Sequence, residues 1–285
     1  MHPVTRIIAI TNQKGGVGKT TTAINLCASL ACAGRRALLA DMDPQGNATV
    51  GSGVAMRERP RSIYEVLLGE AAPDDAIVAT DGGYDLLASH PNLAGAQVEM
   101  AGLQRRDYRF ADVAAQLAGR YDLIIIDCPP ALNVLTVNAL AAAAEVLIPV
   151  QCEYYALEGL TSLMQTIAMV RRGLNPSLQV LGLVRTMFDA RNSLSSEVAG
   201  QLQAHFPAQL FRTVIPRNVR LAEAPSYGKP VLQYDRHCAG SQAYLALAGE
   251  VLRRRADSTE RRVDANERGA DATEATRRGG LSIHN

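Results

Sequence analysis

Residues Asn12 to Ala23 read NQKGGVGKTTTA, a turn of closely spaced glycines with two lysines and a run of threonines. Glycine lets successive backbone N–H groups converge on one point, and the helix start that follows adds its own unpaired donors, so such a turn cradles an anion. Gly15, Gly16, Val17 and Gly18 supply the cradle, Lys19 reaches the β and γ phosphates of a nucleoside triphosphate, and the Thr20 hydroxyl ligates Mg²⁺. The usual spacing of a phosphate-binding loop puts glycine at position 13, where this chain has Gln13; Gly15 and Gly16 provide the backbone freedom instead. Lys14 is one cation more than such a loop needs. Lysine occurs otherwise only at Lys229, while arginine is abundant, which sets Lys14 apart from drift.

Acidic residues recur where apolar runs give out, the place where open α/β sheets bind ligands. LADMDPQGNAT carries Asp41 and Asp43, and IIIDCPP carries Asp127 after four apolar residues. An aspartate in the second position holds Mg²⁺ directly or through water; the competing role for aspartate at a strand end is to shape a turn.

The elements that must position these groups follow from periodicity. Short β-branched or leucine-rich runs alternate with longer helical patterns, the signature of a parallel sheet covered by helices. The expected strands are Arg6 to Thr11, Arg36 to Asp43, Tyr84 to Ser89, Tyr121 to Pro129, Glu145 to Gln151, Gln179 to Phe188 and Phe211 to Pro216. Helical patterns run near Thr20 to Ala33, Asn92 to Leu117, Asn133 to Ala143, Leu157 to Arg172, Ser193 to His205 and Ser241 to Leu252. Gly34 suits the stop of the first helix, and Pro176 lies just past the fourth. The fold class is therefore α/β, a single P-loop nucleotide-hydrolase domain whose mostly parallel twisted sheet has helices on both faces.

This domain is expected over residues 1–252, and residues 253–285 are a charged, arginine-rich tail with little to bury, expected to be disordered. The formal net charge of +1 gives no bulk bias toward polyanions, so any such contact needs a local patch. Cys27, Cys32, Cys128, Cys152 and Cys238 form no CxxC pair and read as reduced thiols, which argues against zinc or an iron–sulfur cluster. No stretch approaches the roughly 20 apolar residues of a spanning helix, and the N-terminus has no signal-peptide run, which points to the cytoplasm.

KGGVGKT, D-x-DPQGN, IIIDCPP and the late PRNVRLAEAPSYGKP stretch resemble, in order and spacing, the ParA/MinD group of deviant Walker A ATPases, and most closely the short ParA-type (Soj-like) partition ATPases. The resemblance spans roughly Arg6 to Leu252. It implies an ATPase that uses ATP and Mg²⁺ and forms an ATP-dependent homodimer, in which Lys14 touches the phosphates held by the other subunit. Charge neutralisation across two chains would make dimerisation depend on ATP rather than ADP. The resemblance further implies that Thr21 contacts the α phosphate, that Asp43 positions the attacking water, that Asp41 and Asp127 support the metal, and that Pro216 and Asn218 hold the adenine.

Similar proteins bind nonspecific double-stranded DNA through basic residues, and Arg191 and Arg220 occupy the matching positions, with Arg171 and Arg172 as further candidates. The implied setting is a nucleoid-associated ATPase released from DNA when a ParB-like centromere-binding partner stimulates hydrolysis. Two rivals stay open. A MinD-like protein with a membrane or protein client would need an amphipathic C-terminal helix, and after position 255 the tail offers only Val263, Leu281 and Ile283 beyond alanines. An amide ligase built on the same loop is the other.

Overall fold

The computed structural model describes residues 4–56 and 61–254. Among them one sheet contains β1 (Arg6–Ile10), β2 (Ala37–Asp41), β3 (Ile77–Ala79), β4 (Asp85–Leu87), β5 (Leu123–Asp127), β6 (Glu145–Gln151), β7 (Gln179–Phe188) and β8 (Leu210–Pro216). Their order is β3-β4-β2-β5-β1-β6-β7-β8, and every neighbouring pair is parallel except β3 with β4. The helices are α1 (Lys19–Cys32), α2 (Asn47–Gly51), α3 (Ile63–Leu68), α4 (Pro73–Ala76), α5 (Ala96–Glu99), α6 (Arg109–Gln116), α7 (Val134–Ala142), α8 (Ala156–Gly173), α9 (Ser193–His205), α10 (Val219–Glu223) and α11 (Val231–Tyr234), with a last helix from residue 239.

The central strands are buried on both faces, which is why LIIID of β5 reads as an unbroken apolar run. Leu38, Ala40, Ile124, Ile126, Val146 and Ile148 join a core with residues of α6, α7 and α8. The alternate residues Leu39, Ile125 and Leu147 are just as buried, and α1 packs beside β1, β2, β5 and β6. Each of these leucine, isoleucine and valine side chains removed from water contributes about 1.5–3 kcal/mol, so the alternation fixes the register of the strand ends that carry the chemistry.

Local signals set the ends of the helices. Gly34, at φ 74°, follows α1; its N–H donates to Ala31 and that of Arg35 to Leu30, a Schellman stop that a residue with a Cβ would strain. Asn133 caps α7 by accepting from the N–H groups of Leu135 and Thr136.

Several expectations are corrected. The helix expected over Asn92 to Leu117 is broken into short 3₁₀ and α turns, and only α6 keeps two turns. Gly95, Gly102 and the left-handed Arg105 (φ 54°) interrupt it. The edge strand β3 was not expected; at three half-exposed residues it carries too little pattern to read. The same holds for α2, α3, α4, α10 and α11, each four to six residues long. The compact body closes at Ala248. Residues 249–254 are helical, Arg254 donating to Glu250 at 3.3 Å, so the tail expected over 253–285 is helical in its first two residues; its remainder lies outside the described residues.

Candidate active site

The turn between β1 and α1 opens into a cleft of about 800 Å³ lined by Gly15, Gly16, Gly18, Lys19, Thr20 and Thr21. Gly16 and Gly18 adopt φ 73° and 85°, and beyond the chain neighbours no atom lies within 4 Å of where a Cβ would stand at Gly15 or Gly16, so the turn itself borders open space. Val17 contributes differently: its side chain is buried and its carbonyl accepts from Thr186 Oγ1 at 2.8 Å, tying the loop to β7. Gln13 Nε2 donates to Thr166 Oγ1 on α8 at 3.1 Å, so the residue that departs from the usual glycine anchors the loop.

The two lysines of the loop differ. Lys19 is buried, and its Nζ rests on the carbonyl of Lys14 at 3.0 Å. Burial lowers its pKa, against the opposing pull of Asp127, Cys128 and Asp43. Lys14 does not line the cleft; its ammonium pairs with Glu153, just past β6, at 2.6 Å. Its own N–H is fixed by Asn12 Oδ1 at 3.0 Å.

Two buried aspartates, Asp127 and Asp43, act on Lys19, and a third, Asp41, neighbours both of them. Asp43 lines the cleft, with Oδ1 accepting from the Gln45 N–H at 3.0 Å. Asp41 is fully buried and its oxygens are occupied: Oδ1 accepts from the Asp43 N–H at 3.2 Å, and Oδ2 from the N–H and hydroxyl of Thr49 at 2.8 and 2.7 Å. These contacts make Asp41 a brace of its own loop. Asp127 is equally buried, yet neither of its oxygens meets the geometry of a hydrogen bond among the described residues, although the Thr20 hydroxyl is close enough to favour its charged form. Burial and the neighbouring Asp41 carboxylate push its pKa well above the usual range, and the nearby Thr20 hydroxyl and Lys19 only temper this. No three His, Cys, Asp or Glu side chains form a ligand cage among the described residues. Mg²⁺ does not need one, because it takes one or two carboxylates and completes its shell with water and phosphate oxygens. An orphaned Asp127 beside Thr20 fits such an ion.

The far end of the cleft is built by Pro216 and Asn218 with Ile215, Leu221 and Pro225. Asn218 Oδ1 caps α10 by accepting from the Leu221 N–H at 3.3 Å. Arg191 and Arg220 lie outside the cleft lining. Arg191 is 89% exposed and forms a forked pair with Asp189 at 2.9 and 2.8 Å, which holds that carboxyl down at about 2. Arg220 pairs with Glu223 at 2.8 Å and Asp235 at 3.5 Å. Arg171 and Arg172, in the last turn of α8, are exposed, and neither has an ion-pair partner within 4 Å among the described residues.

Comparison with known proteins settles the family. A family described as an AAA domain matches residues 5–180. The chain is 54% identical to the chromosome partitioning protein ParA of Caulobacter vibrioides over 255 residues, 88% of this chain and 96% of that protein. It is 52% identical to the chromosome-partitioning ATPase Soj of Thermus thermophilus, over 87% of this chain and 96% of that one. This chain belongs to the ParA/Soj family of partition ATPases. Among solved structures, cobyrinic acid a,c-diamide synthase of Mycobacterium smegmatis, with a bound ATP analogue and magnesium, superposes with a TM-score of 0.78 at 38% identity. That match covers 88% of this chain and 95% of that one.

The cleft thus brings together Gly15, Gly16, Gly18, Lys19, Thr20, Thr21, Asp43, Pro216 and Asn218, while Val17, Asp127 and Lys14 are not in its lining and Lys14 is paired with Glu153. Sequence reading missed Glu153, Thr49 and Ser89. Only Thr49 had a signal, its place in the DPQGNAT stretch.

Proposed function

We propose that the chain is an ATP- and Mg²⁺-dependent partition switch that dimerises face to face on ATP, binds DNA without sequence preference, and lets go on hydrolysis. The observation that carries this reading is the single cleft joining the phosphate cradle, Asp43 and the Pro216–Asn218 segment at the strand ends. Lys19 and the loop N–H groups bind the phosphates, Thr21 contacts the α phosphate, and Pro216 with Asn218 holds the adenine. Thr20, Asp43 and Asp127 would hold Mg²⁺, which would supply positive charge where the β and γ oxygens gain negative charge. Asp43 orients a water for attack on the γ phosphorus; the bond from phosphorus to the β–γ bridging oxygen breaks, and that oxygen leaves on ADP with the electron pair.

Lys14 acts on the partner's nucleotide. Its position outside its own cleft supports a role in trans, as do exposed apolar residues in the segments that follow β5, β6 and β8: Leu132, Tyr154, Tyr155, Val219 and Tyr227. Exposed apolar groups in these segments suit a second copy of the chain. Arg191 and Arg220 meet DNA phosphates; both now have acidic partners, and each must exchange a carboxylate for a phosphate. That exchange makes binding salt-labile. A ParB-like protein is the partner that stimulates hydrolysis, and the setting is the nucleoid in the cytoplasm. No helix among the described residues is long and apolar enough to cross a membrane.

The test is binding to random-sequence duplex DNA over a salt series with ATP, ADP or no nucleotide. Binding that requires ATP, survives Asp43→Ala, and is lost in Lys14→Ala and in the Arg191→Ala/Arg220→Ala double variant is the expected result. ATP-dependent dimerisation without DNA binding would sink the nucleoid role and favour a MinD-like client. Monomeric ATP turnover that needs a small carboxylic acid would favour the amide-ligase chemistry named for the mycobacterial neighbour.

A further inference from the structure

The loop that carries Asp43 is closed by a buried ring of hydrogen bonds reaching into a neighbouring strand end. Thr49, in α2, donates its hydroxyl to Asp41 Oδ2 at 2.7 Å and accepts from the Ser89 N–H at 2.9 Å. Ser89, just past β4, donates its own hydroxyl to the carbonyl of Asp43 at 2.7 Å. The Asp43 N–H returns to Asp41 Oδ1 at 3.2 Å. Asp41, Thr49 and Ser89 are fully buried and Asp43 is nearly so. The peptide units on both sides of Asp43 are therefore held, while its carboxylate borders the cleft.

We propose that Thr49 and Ser89 are positioning residues for ATP hydrolysis: their hydroxyls hold the Asp43 backbone so that its carboxylate keeps a fixed place relative to the phosphate cradle. The inference rests on the reading of Asp43 as the water-positioning group. α2 has five residues and cannot hold its own shape without outside contacts. β4 pairs with β2, β2 with β5, and β5 with β1, so the ring refers Asp43 to the same sheet that ends in the phosphate loop. Misplacement of a reacting group by about 1 Å costs on the order of a hundredfold in rate. Neither residue lines the cleft, and Ser89 meets Asp43 only at its backbone carbonyl, so the Asp43 carboxylate remains available to the metal and the loss of either hydroxyl is read in the rate.

The experiment compares Thr49→Val, Thr49→Ser, Ser89→Ala and Asp43→Ala in the full chain. It reads the single-turnover rate of ATP hydrolysis and, separately, the Kd for a non-hydrolysable ATP analogue with Mg²⁺. Thr49→Val keeps the shape and loses the hydroxyl; its rate falls about tenfold or more with the analogue Kd within about twofold of wild type. Thr49→Ser restores the rate to within about twofold, and Ser89→Ala lowers it by about threefold or more at unchanged Kd. Rates near wild type in Thr49→Val and Ser89→Ala, with hydrolysis abolished in Asp43→Ala, overturn the positioning role alone. A parallel loss of binding and rate, unrepaired by Thr49→Ser, also overturns it, because it marks a purely structural contact. Hydrolysis at the wild-type rate in Asp43→Ala overturns the underlying reading and the proposal with it. Should Thr49→Val fail to fold, Ser89→Ala and Thr49→Ser decide by the same criteria.

Discussion

Asp41 and Asp127 end adjacent strands and are register partners across β2 and β5, yet the protein treats them in opposite ways. Both carboxylates are fully buried. Asp41 accepts three hydrogen bonds from its own loop, and Asp127 accepts none among the described residues. A buried carboxylate with its donors supplied is a structural element; one without them is a cost that folding alone does not justify. The difference separates a residue that braces its loop from one whose carboxylate suits the Mg²⁺ proposed above.

The largest expected effect breaks the comparison on the Asp127 side. Asp127→Asn keeps the shape and removes the charge, and the rate of Mg²⁺-dependent hydrolysis falls on the order of a thousandfold, the scale expected when preorganised electrostatic stabilisation is lost. Without nucleotide the same variant is at least as stable as wild type to urea, because the cost of burying an unpartnered carboxylate, or of protonating it to avoid that burial, is gone. Chelating Mg²⁺ with EDTA should remove most of the stabilisation that ATP gives wild type and change little in the variant.

Asp41 predicts the reverse. Asp41→Ala leaves the Thr49 N–H, the Thr49 hydroxyl and the Asp43 N–H without their acceptor in a buried place, at a cost of about 3 kcal/mol in nucleotide-free stability. Urea unfolding measures it, and a loss under about 1 kcal/mol would mean that the loop finds other acceptors.

Titration sharpens the same pair. Burial raises the Asp41 carboxyl to about 6, although its hydrogen bonds to Thr49 and Asp43 pull the other way. The native state therefore holds this proton more tightly than the unfolded chain, whose aspartate titrates near 3.9. The resulting stabilisation is present below that pH and is lost as pH rises through about 6. Without nucleotide, the stability of wild type relative to Asp41→Asn should be greater at acid pH than at neutral pH. A gap that widens from acid to neutral pH would reverse the assignment.

Much of this architecture was legible. Strands β6 and β7 and helix α9 begin and end where hydrophobic periodicity predicts, and Gly34 stops α1 as expected. The phosphate loop and the strand-end aspartates could be read because their chemistry is written in short, contiguous spacing. What could not be read is who partners whom. Ser89 meets Asp43 from 46 residues away, Glu153 meets Lys14 from 139, and Gln13 meets Thr166 from 153. Such pairs depend on strand order, which periodicity does not encode. The sequence also could not tell Asp41 from Asp127: both end apolar strands, and only the folded loop reveals that one is supplied with donors.

The smallest effect concerns a charge pair outside this buried set. Lys14 and Glu153 are 38% and 46% exposed, so water and salt screen their attraction. Removing it with Glu153→Gln should cost less than about 1 kcal/mol of stability. If Glu153 only restrains Lys14 within one subunit, freeing the ammonium leaves ATP-dependent dimerisation intact or strengthens it, since no carboxylate then competes with the partner's phosphates. Sedimentation with a non-hydrolysable ATP analogue distinguishes the outcomes. A weakened dimer would instead place Glu153 in contact with the partner subunit, and the pair would then belong with Asp41 among the groups that build the site.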